Sequence, residues 1–484
     1  MKQFLLPFLF FFSLPAFSQS FVTRDIRSFG AKGDGKTSDH EAFQRAAAFF
    51  NARGGNGELV ISKGVYLVGK QVFNRNTTTL PVYNGTDVLS LENVKNLTIT
   101  GQPGSKIKFR KGLFYGAFDP ATGKAYKHNE GFFAKPPYLA IIGHAIALNN
   151  CSDVTIQNLE LDGNNGEIVL GGTYGDTGYQ IPHTGIFVLN SRKVTVNKVH
   201  SHHFGQDGIM IGNATGDSKV KDEVVLSNSV FEYNSRQGFS WIGGNDLNVI
   251  NCKFNHTGRG KFSSAPSAGV DIEAEVGSLK NGRFISCEFI NNAGAGLVAD
   301  SGPSSDCTFT NCVFWGVTNW SVWVNKPGFR FIDSKIYGAF VHGYDALKDV
   351  EATVFTSCHF EDKPYNGKEP FGNFLIETNY KRRVRFDNCT MIANKKKLVW
   401  MESNPAWKPE EKYQLNNCRL VFKGGGVPPE GNWVSLTRNI RYKNCVFEIQ
   451  HPTAEKFYFN GIGENYNVDL GGNKYVVNNK ERKL

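Results

Sequence analysis

Ser267-Ala268-Gly269-Val270-Asp271-Ile272-Glu273-Ala274-Glu275 is the stretch against which the rest of the chain can be aligned. Read with a period of two, Val270, Ile272 and Ala274 face one way and Asp271, Glu273 and Glu275 the other, as in a β-strand with one buried side. Three carboxylates at i, i+2 spacing repel one another, and nothing in the local sequence neutralises them. In isolation this describes a solvated acidic strand. Its neighbours change the reading. Strands of the same kind start at Gly185, Gly208, Gly238, Gly269, Gly296 and Ser321, at intervals of 23 to 31 residues. Such a spacing fits one three-sided coil plus loops of varying length. No single coil buries its own apolar edge, so coils must stack and pair in parallel.

In this register the first and third positions after each start are apolar: Ile186/Val188, Ile209/Ile211, Phe239/Trp241, Val270/Ile272, Leu297/Ala299 and Val322/Val324. They are expected inside. The second and fourth positions are expected outside: Phe187/Leu189, Met210/Gly212, Ser240/Ile242, Asp271/Glu273, Val298/Asp300 and Trp323/Asn325. Short β-rich runs extend the pattern from about Gly57 to the C-terminal region. Asn-rich turns such as Asn149-Asn150, Asn291-Asn292 and Asn416-Asn417 suit coil corners, because Asn tolerates a left-handed backbone. With no Pro- or Ser-rich linker, residues 19–484 read as one domain. Aromatic and Gly-rich stretches at 111–137 and 163–182 read as long loops over one face.

The 484 residues carry a formal charge of +10 and a sequence pI near 9.0. Lys and Arg are dispersed and form no stripe, so nucleic acid is not an expected partner. An anionic polymer suits the basic balance better. Met1-Lys2-Gln3, the apolar run Phe4 to Phe17 and the small residues before Gln19 read as a secretory signal peptide over 1–18. The mature chain is then expected outside the cytoplasm, secreted or periplasmic, with no membrane span. Eight of nine cysteines follow Asn or Ser (Cys151, Cys252, Cys287, Cys312, Cys358, Cys389, Cys418, Cys445), and five of these precede x-Phe. Recurrence in one phase marks a repeat position filled by a small apolar side chain, not a disulfide framework.

Phe29-Gly30-Ala31-Lys32-Gly33-Asp34-Gly35-Lys36-Thr37-Ser38-Asp39 lacks a preceding buried strand and a phosphate-loop ending. A helix follows, for which Ser38 and Glu41 form a candidate capping box. "FGAKGDGKTSDHEAFQRA" resembles the N-terminal segment of secreted right-handed parallel β-helix proteins of the pectate-lyase and polygalacturonase superfamily. There such a helix caps the coil stack. The resemblance implies an all-β, right-handed parallel β-helix with its capping segment at about 24–56. "QDGI" at Gln206–Ile209 is similar to the "TDGI" of polygalacturonases, which implies a catalytic Asp207. The paired Asp-Asp found one coil later in those enzymes has no counterpart in Arg236-Gln237-Gly238-Phe239-Ser240.

The register puts Asp300 one coil from Glu273, about 4.8 Å between strands, and Asp207 two coils from Asp271 on the other side. His183, His202 and His203 are expected to reach this face from loops. Trp320, Trp323 and Asn325 offer an aromatic platform with polar flanks for a sugar. Stacked carboxylates are costly as decoration. They suit glycosidic-bond cleavage, in which one carboxyl protonates the leaving oxygen and another activates water or attacks carbon. Asp271 and Glu273 are the preferred pair, with Asp300 placed to perturb Glu273. Their i, i+2 spacing of about 6.5–7 Å suits an inverting hydrolase, and no cofactor is required. The alternative is a polysaccharide lyase acting on a uronate. There Asp271, Glu273 and Asp300 would hold Ca²⁺, and Arg259, Lys261 or a histidine would be the base. A non-catalytic glycan-binding β-helix is the third reading. Zinc is not expected, since adjacent His202 and His203 would point apart on a strand and no HExxH occurs.

Overall fold

The structure, a computed structural model, describes residues 20–74, 82–119, 121–125, 140–171, 181–424, 435–452 and 467–482. The signal segment at 1–18 lies outside the described residues, as do 126–139 and 172–180 of the two loops. The chain folds as a parallel β-helix of three sheets. One coil shows the plan. Ile186–Leu189 lies in the first sheet, and the strand Arg192–His202 bends at Lys198 (φ 53°). Its two halves pair separately with Val224–Ser227 in the second sheet and Val230–Glu232 in the third. A turn at His203–Gln206 then leads into Asp207–Gly212, back in the first sheet.

The first-sheet register follows the apolar alignment. Ile186, Ile209, Phe239, Val270, Leu297 and Val322 pair in succession. All are fully buried. The strand-start glycines have a steric cause. A Cβ at Gly185, Gly208, Gly238 or Gly269 would lie 2.5–2.8 Å from the carbonyl oxygen of the next glycine in the column, and at Gly296 2.6 Å from that of Ser321. At these five coils a Cβ would not fit at strand spacing, whereas Ala145, Ser321 and Ala339 carry one at the same corner of other coils.

The other corners are made by left-handed residues. Asn150, Asn291 and Asn417 have φ of 53°, 56° and 54°, and their amides link coils: Asn444 Nδ2 donates to Asn417 Oδ1 and Asn417 Nδ2 to Asn388 Oδ1, each at 3.1 Å. The cysteine after such a residue turns into the core. All nine cysteines are buried and unpaired. Beside them the phenylalanines stack coil on coil: Phe284, Phe309, Phe331, Phe355 and Phe386 have successive ring centroids 4.7, 5.1, 4.6 and 5.0 Å apart. Each such contact adds about 0.5–1.5 kcal/mol to the burial itself.

The helix His40–Arg53 occupies the first-sheet place of the first coil and buries Ala42, Phe43, Ala46, Ala47 and Phe50 against the core. Its start differs from the expected capping box. Ser38 ends a strand, and the N-cap residue is Asp39, whose side chain makes no cap bond. Asp39 instead accepts from Lys32 N–H and Gly33 N–H, tying down the preceding turn. The described parts of the two loop stretches are also not plain loop. Phe114–Ala117 and Val169–Leu170 join Val72–Asn74 and Val82–Asn84 in a small separate sheet. Among the described residues no helix is long and apolar enough to cross a membrane.

Candidate functional site

The strand Ala268–Ile272 carries Asp271 on the outer side of the first sheet, between Ser240 on one neighbouring strand and Val298 on the other. The segment Glu273–Val276 leaves the strand. It is held by Trp241 O, which accepts from Glu273 N–H (3.1 Å), and by Ile242 O, which accepts from Glu275 and Val276 N–H (2.8 and 2.9 Å). The register shifts here: Ile211 pairs with Trp241 but Gly212 with Gly243. Ile242 is the extra residue of a β-bulge, a device that aims neighbouring side chains near sites.

Asp271 is almost fully enclosed. Gln237 Nε2 donates to its Oδ2 at 2.7 Å, and Gln237 Oε1 accepts from Ala268 N–H at 2.9 Å, which fixes the amide. Burial pushes the Asp271 carboxyl up to about 8; Arg236 opposes the shift, and Glu273, Asp207 and Asp300 add to it. Asp207 has no exposed surface, and neither of its oxygens has a hydrogen-bond partner. Burial raises it to about 6 against the pull of Arg236 and of the nearby Ser240 hydroxyl and Gln237 amide, with Glu275 adding to the rise. Burial also raises Glu275, again against Arg236 and with Glu273 repelling it. The acids therefore act on one another, and burial is the leading cause.

Arg236 is the cation of the cluster. It is 5% exposed, its Nη1 lies 3.9 Å from Asp207 Oδ2 and 3.5 Å from Ser240 Oγ, and its Nε has no partner. Neither Arg236 nor Gln237 was anticipated as a site residue. The available signal was the alignment of Arg236-Gln237-Gly238 on Gln206-Asp207-Gly208, since Asp207 pairs with Gln237. Glu275 does lie past the strand end, but its carboxyl still shares the field of Arg236. Asp207 has no surface to offer a substrate. Its influence reaches the exterior only through its neighbours.

Trp323 stands two strands from Asp271 in the same outward column, about 9.6 Å along the stack. Its ring packs 4.6 Å from Trp320 and 4.4 Å from His342, and Trp320 packs 5.4 Å from Phe371. Asp300 lies on the intervening coil, and Asn325 N–H bonds Ala299 O. The acids and the tryptophans thus share one face.

The histidines do not reach it. His183 is fully buried, 4.5 Å from Phe109 and 5.0 Å from Phe204 between ring centroids, and its Nδ1 accepts from Gly205 N–H. It packs the interior and lines no groove. His202 and His203 end the third-sheet half of their strand and belong to another cluster. The expectation that they point apart fails, because His203 has φ 56° and turns back, bringing the two Nδ1 atoms within 2.7 Å. The basic residues proposed near the acids are also engaged elsewhere. Arg259 donates to Asn291 O, Asn292 O and Thr318 Oγ1, and Lys261 Nζ donates to Gly166 O. Both hold turns together.

Among the described residues, the sets of three His, Cys, Asp or Glu ligand atoms within 4.8 Å of one another are Glu160/His200/His202 and Asp162/His202/His203. Asp271, Glu273 and Asp300 form no such set, so the calcium arrangement is not preassembled.

A family model described as a right-handed beta helix region matches residues 144–335. The fold is a right-handed parallel β-helix. No curated protein matches the chain significantly in sequence. Among solved structures, the A-module of mannuronan C-5 epimerase AlgE4 from Azotobacter vinelandii aligns over 93% of this chain and 98% of its own, with 12% identity and a TM-score of 0.49. The Agl-KA catalytic domain aligns over 95% and 68%, with 13% identity and a TM-score of 0.48. PfbA, a surface adhesin of Streptococcus pneumoniae, aligns over 95% and 89%, with 14% identity and a TM-score of 0.39. At these identities and TM-scores the likeness says nothing of what this chain does.

Proposed function

We propose that the protein is an exported polysaccharide-degrading enzyme, a glycoside hydrolase working on the outer face of its first sheet. The observation that carries this reading is Asp271, an enclosed carboxyl raised to about 8 beside a partly exposed Glu273. A carboxylic acid that keeps its proton at neutral pH is the group needed to protonate a departing glycosidic oxygen. Glu273, with access to solvent, is the partner that activates water. Asp207 and Arg236 touch no substrate. They set the field in which Asp271 holds its proton. Trp323 and Trp320 supply a stacking surface for a sugar ring about two coils away along the groove.

Orphaned buried polar atoms support a functional reading over a structural one. Asp207 and Arg236 are buried together as a loose charge pair at 3.9 Å, with Arg236 Nε unpartnered, a cost that a purely structural corner would shed by substitution. Even with Asp271 protonated, Asp207, Glu273, Glu275 and Asp300 outnumber Arg236, the enclosed cation of the cluster among the described residues, a field that disfavours a polyuronate bound without a metal. Hydrolysis therefore fits better than β-elimination. The test is a glycan panel scored for new reducing ends and for unsaturated products, with wild type and Asp271→Asn in parallel. Reducing ends without ultraviolet absorbance, lost by about 10²–10⁴-fold in the variant, support the proposal. Unsaturated, chelator-sensitive products would overturn it in favour of a lyase. Binding without turnover, unchanged in the variant, would overturn it in favour of a glycan-binding rod. The anomeric form of the first product decides between inversion and retention.

A further inference from the structure

On the outer face of the third sheet, away from the acid cluster, Asp162 and His202 are direct partners on adjacent strands, and His203 follows in the turn. His202 Nδ1 lies 2.7 Å from His203 Nδ1 and 3.8 Å from Asp162 Oδ1. We propose that these three atoms form a binding site for a late first-row divalent metal ion, of which zinc is the representative.

The donor spacing suits such an ion. With metal–nitrogen bonds of about 2.0–2.1 Å, tetrahedral ligands stand about 3.3 Å apart. The observed separations bracket that value, so small ring rotations bring all three onto one ion. Two imidazoles and one carboxylate are the donor set that zinc and its neighbours take, whereas calcium and magnesium take oxygens alone. Three protein ligands leave a position for water.

The surroundings supply a second, independent observation. His202 Nε2 lies 3.2 Å from Glu160 Oε1, and Lys106 Nζ fixes that same carboxylate at 2.7 Å. A carboxylate on the far nitrogen sets the tautomer: Nε2 carries the proton and the lone pair of Nδ1 points at the site. This is the carboxylate–histidine–metal relay that orients metal-binding histidines. Asp162 is ordered in the same way, its Oδ2 held by Lys108 at 3.0 Å and its Oδ1 receiving Asn164 N–H at 2.9 Å. The His203 ring is steadied by stacking on Tyr233, with centroids 5.2 Å apart and planes 9° from parallel. With His202 protonated on Nε2, His203 Nδ1–H is the donor between the two rings. Loading the ion shifts that proton to His203 Nε2, with no net release. In the competing set, Glu160/His200/His202, the one oxygen Glu160 Oε1 meets both Lys106 and His202 Nε2, and His200 Nε2 is held by Glu232 Oε1 at 2.9 Å, so we assign the ion to the Asp162 side.

The experiment uses tag-free, chelator-stripped protein titrated with Co²⁺ as a spectroscopic probe and with Zn²⁺ by calorimetry. One ion per chain is expected, with visible Co²⁺ absorption that Zn²⁺ displaces. His203→Gln and Asp162→Asn are expected to abolish binding, while Glu160→Gln, which removes only the orienting carboxylate, weakens it by about 10–100-fold. Circular dichroism checks that each variant is folded, and His200→Ala serves as a control that retains binding. Absence of one-to-one binding at 100-fold excess Zn²⁺ would overturn the proposal. So would binding that survives His203→Gln but is lost in His200→Ala.

Discussion

Asp271→Asn separates the proton of Asp271 from everything else in the cluster. Asn fills the same volume and its carbonyl can still accept from Gln237, but it does not ionise. In the wild type the folded carboxyl is raised to about 8 from an ordinary 3.8. Between those two values the unfolded chain has lost this proton and the folded chain keeps it. Folding therefore takes up a proton, and the group's contribution, complete below pH 4, is lost as pH rises towards 8. The slope is about 1.4 kcal/mol per pH unit, on the order of 5 kcal/mol over the window. The variant lacks this slope, so its stability relative to wild type should climb steadily from pH 4 to pH 8 and level off above. A measurement independent of reversibility is the proton balance when each protein is denatured in unbuffered guanidinium at pH 6. Wild type should release about one proton more than the variant. Equal release, with parallel denaturation midpoints from pH 5 to 8, would show that Asp271 ionises in the fold as it does in water, and the case for it as an acid would fail.

Removing the enclosed cation acts in the opposite sense. Arg236 holds both Asp207 and Asp271 below where burial alone would put them, so Arg236→Gln should move the alkaline limb of the pH–rate profile upward; an unmoved limb excludes the coupling. Trp323→Ala should raise KM for an oligosaccharide about tenfold with kcat nearly unchanged, as expected for a stacking contact worth about 1–1.5 kcal/mol; a fall in kcat alone would place the sugar elsewhere. The thiols give a check on the core: native protein should react with no thiol reagent and denatured protein should show nine free groups, whereas fewer than nine would mean disulfides. Asn417→Ala places a Cβ-restricted residue at φ 54° and should cost about 1–2 kcal/mol in denaturant stability; no loss would mean the corner adapts.

The repeat was legible because one steric rule writes it into the chain. A corner that admits no Cβ on five coils gives the glycine column, a core position beside a left-handed residue gives Asn-Cys, and inward-facing rings give Phe at fixed phase. Each is local, so period and register follow from spacing alone. The capping box does not form although Ser38-x-x-Glu41 satisfies the pattern: the N-cap is Asp39, one residue on, whose side chain is drawn to the Lys32 and Gly33 amides. The site was legible in part. Asp271 faces outward by strand parity, in the column of Val298 and Trp323, while Glu273 and Asp300 lie just past their strand ends. Arg236 sits in the corner before the strand, where side-chain direction depends on the turn, and Gln237 is the residue that opens the strand.

The histidines make the same point with more consequence. Period-two reasoning holds only while φ stays negative and extended, and a β-helix leaves that regime at every corner. His203 at φ 56°, Tyr233 at 54° and His256 at 58° occupy equivalent places on successive coils, and their rings stack at 5.2 and 4.9 Å. A left-handed residue at the end of a strand thus does two things. It lines its side chain up with those of the coils above and below, and it folds that side chain back over the last strand residue. The second effect brings adjacent histidines together, their rings near-perpendicular at 85° with Nδ1 facing Nδ1, and gathers Asp162 into the same space, where parity would have sent the two rings to opposite sides of the sheet. Chemistry on this fold is therefore to be sought at two kinds of position: outward residues of one strand column, which sequence periodicity reveals, and the residue pair spanning each left-handed corner, which only the backbone reveals.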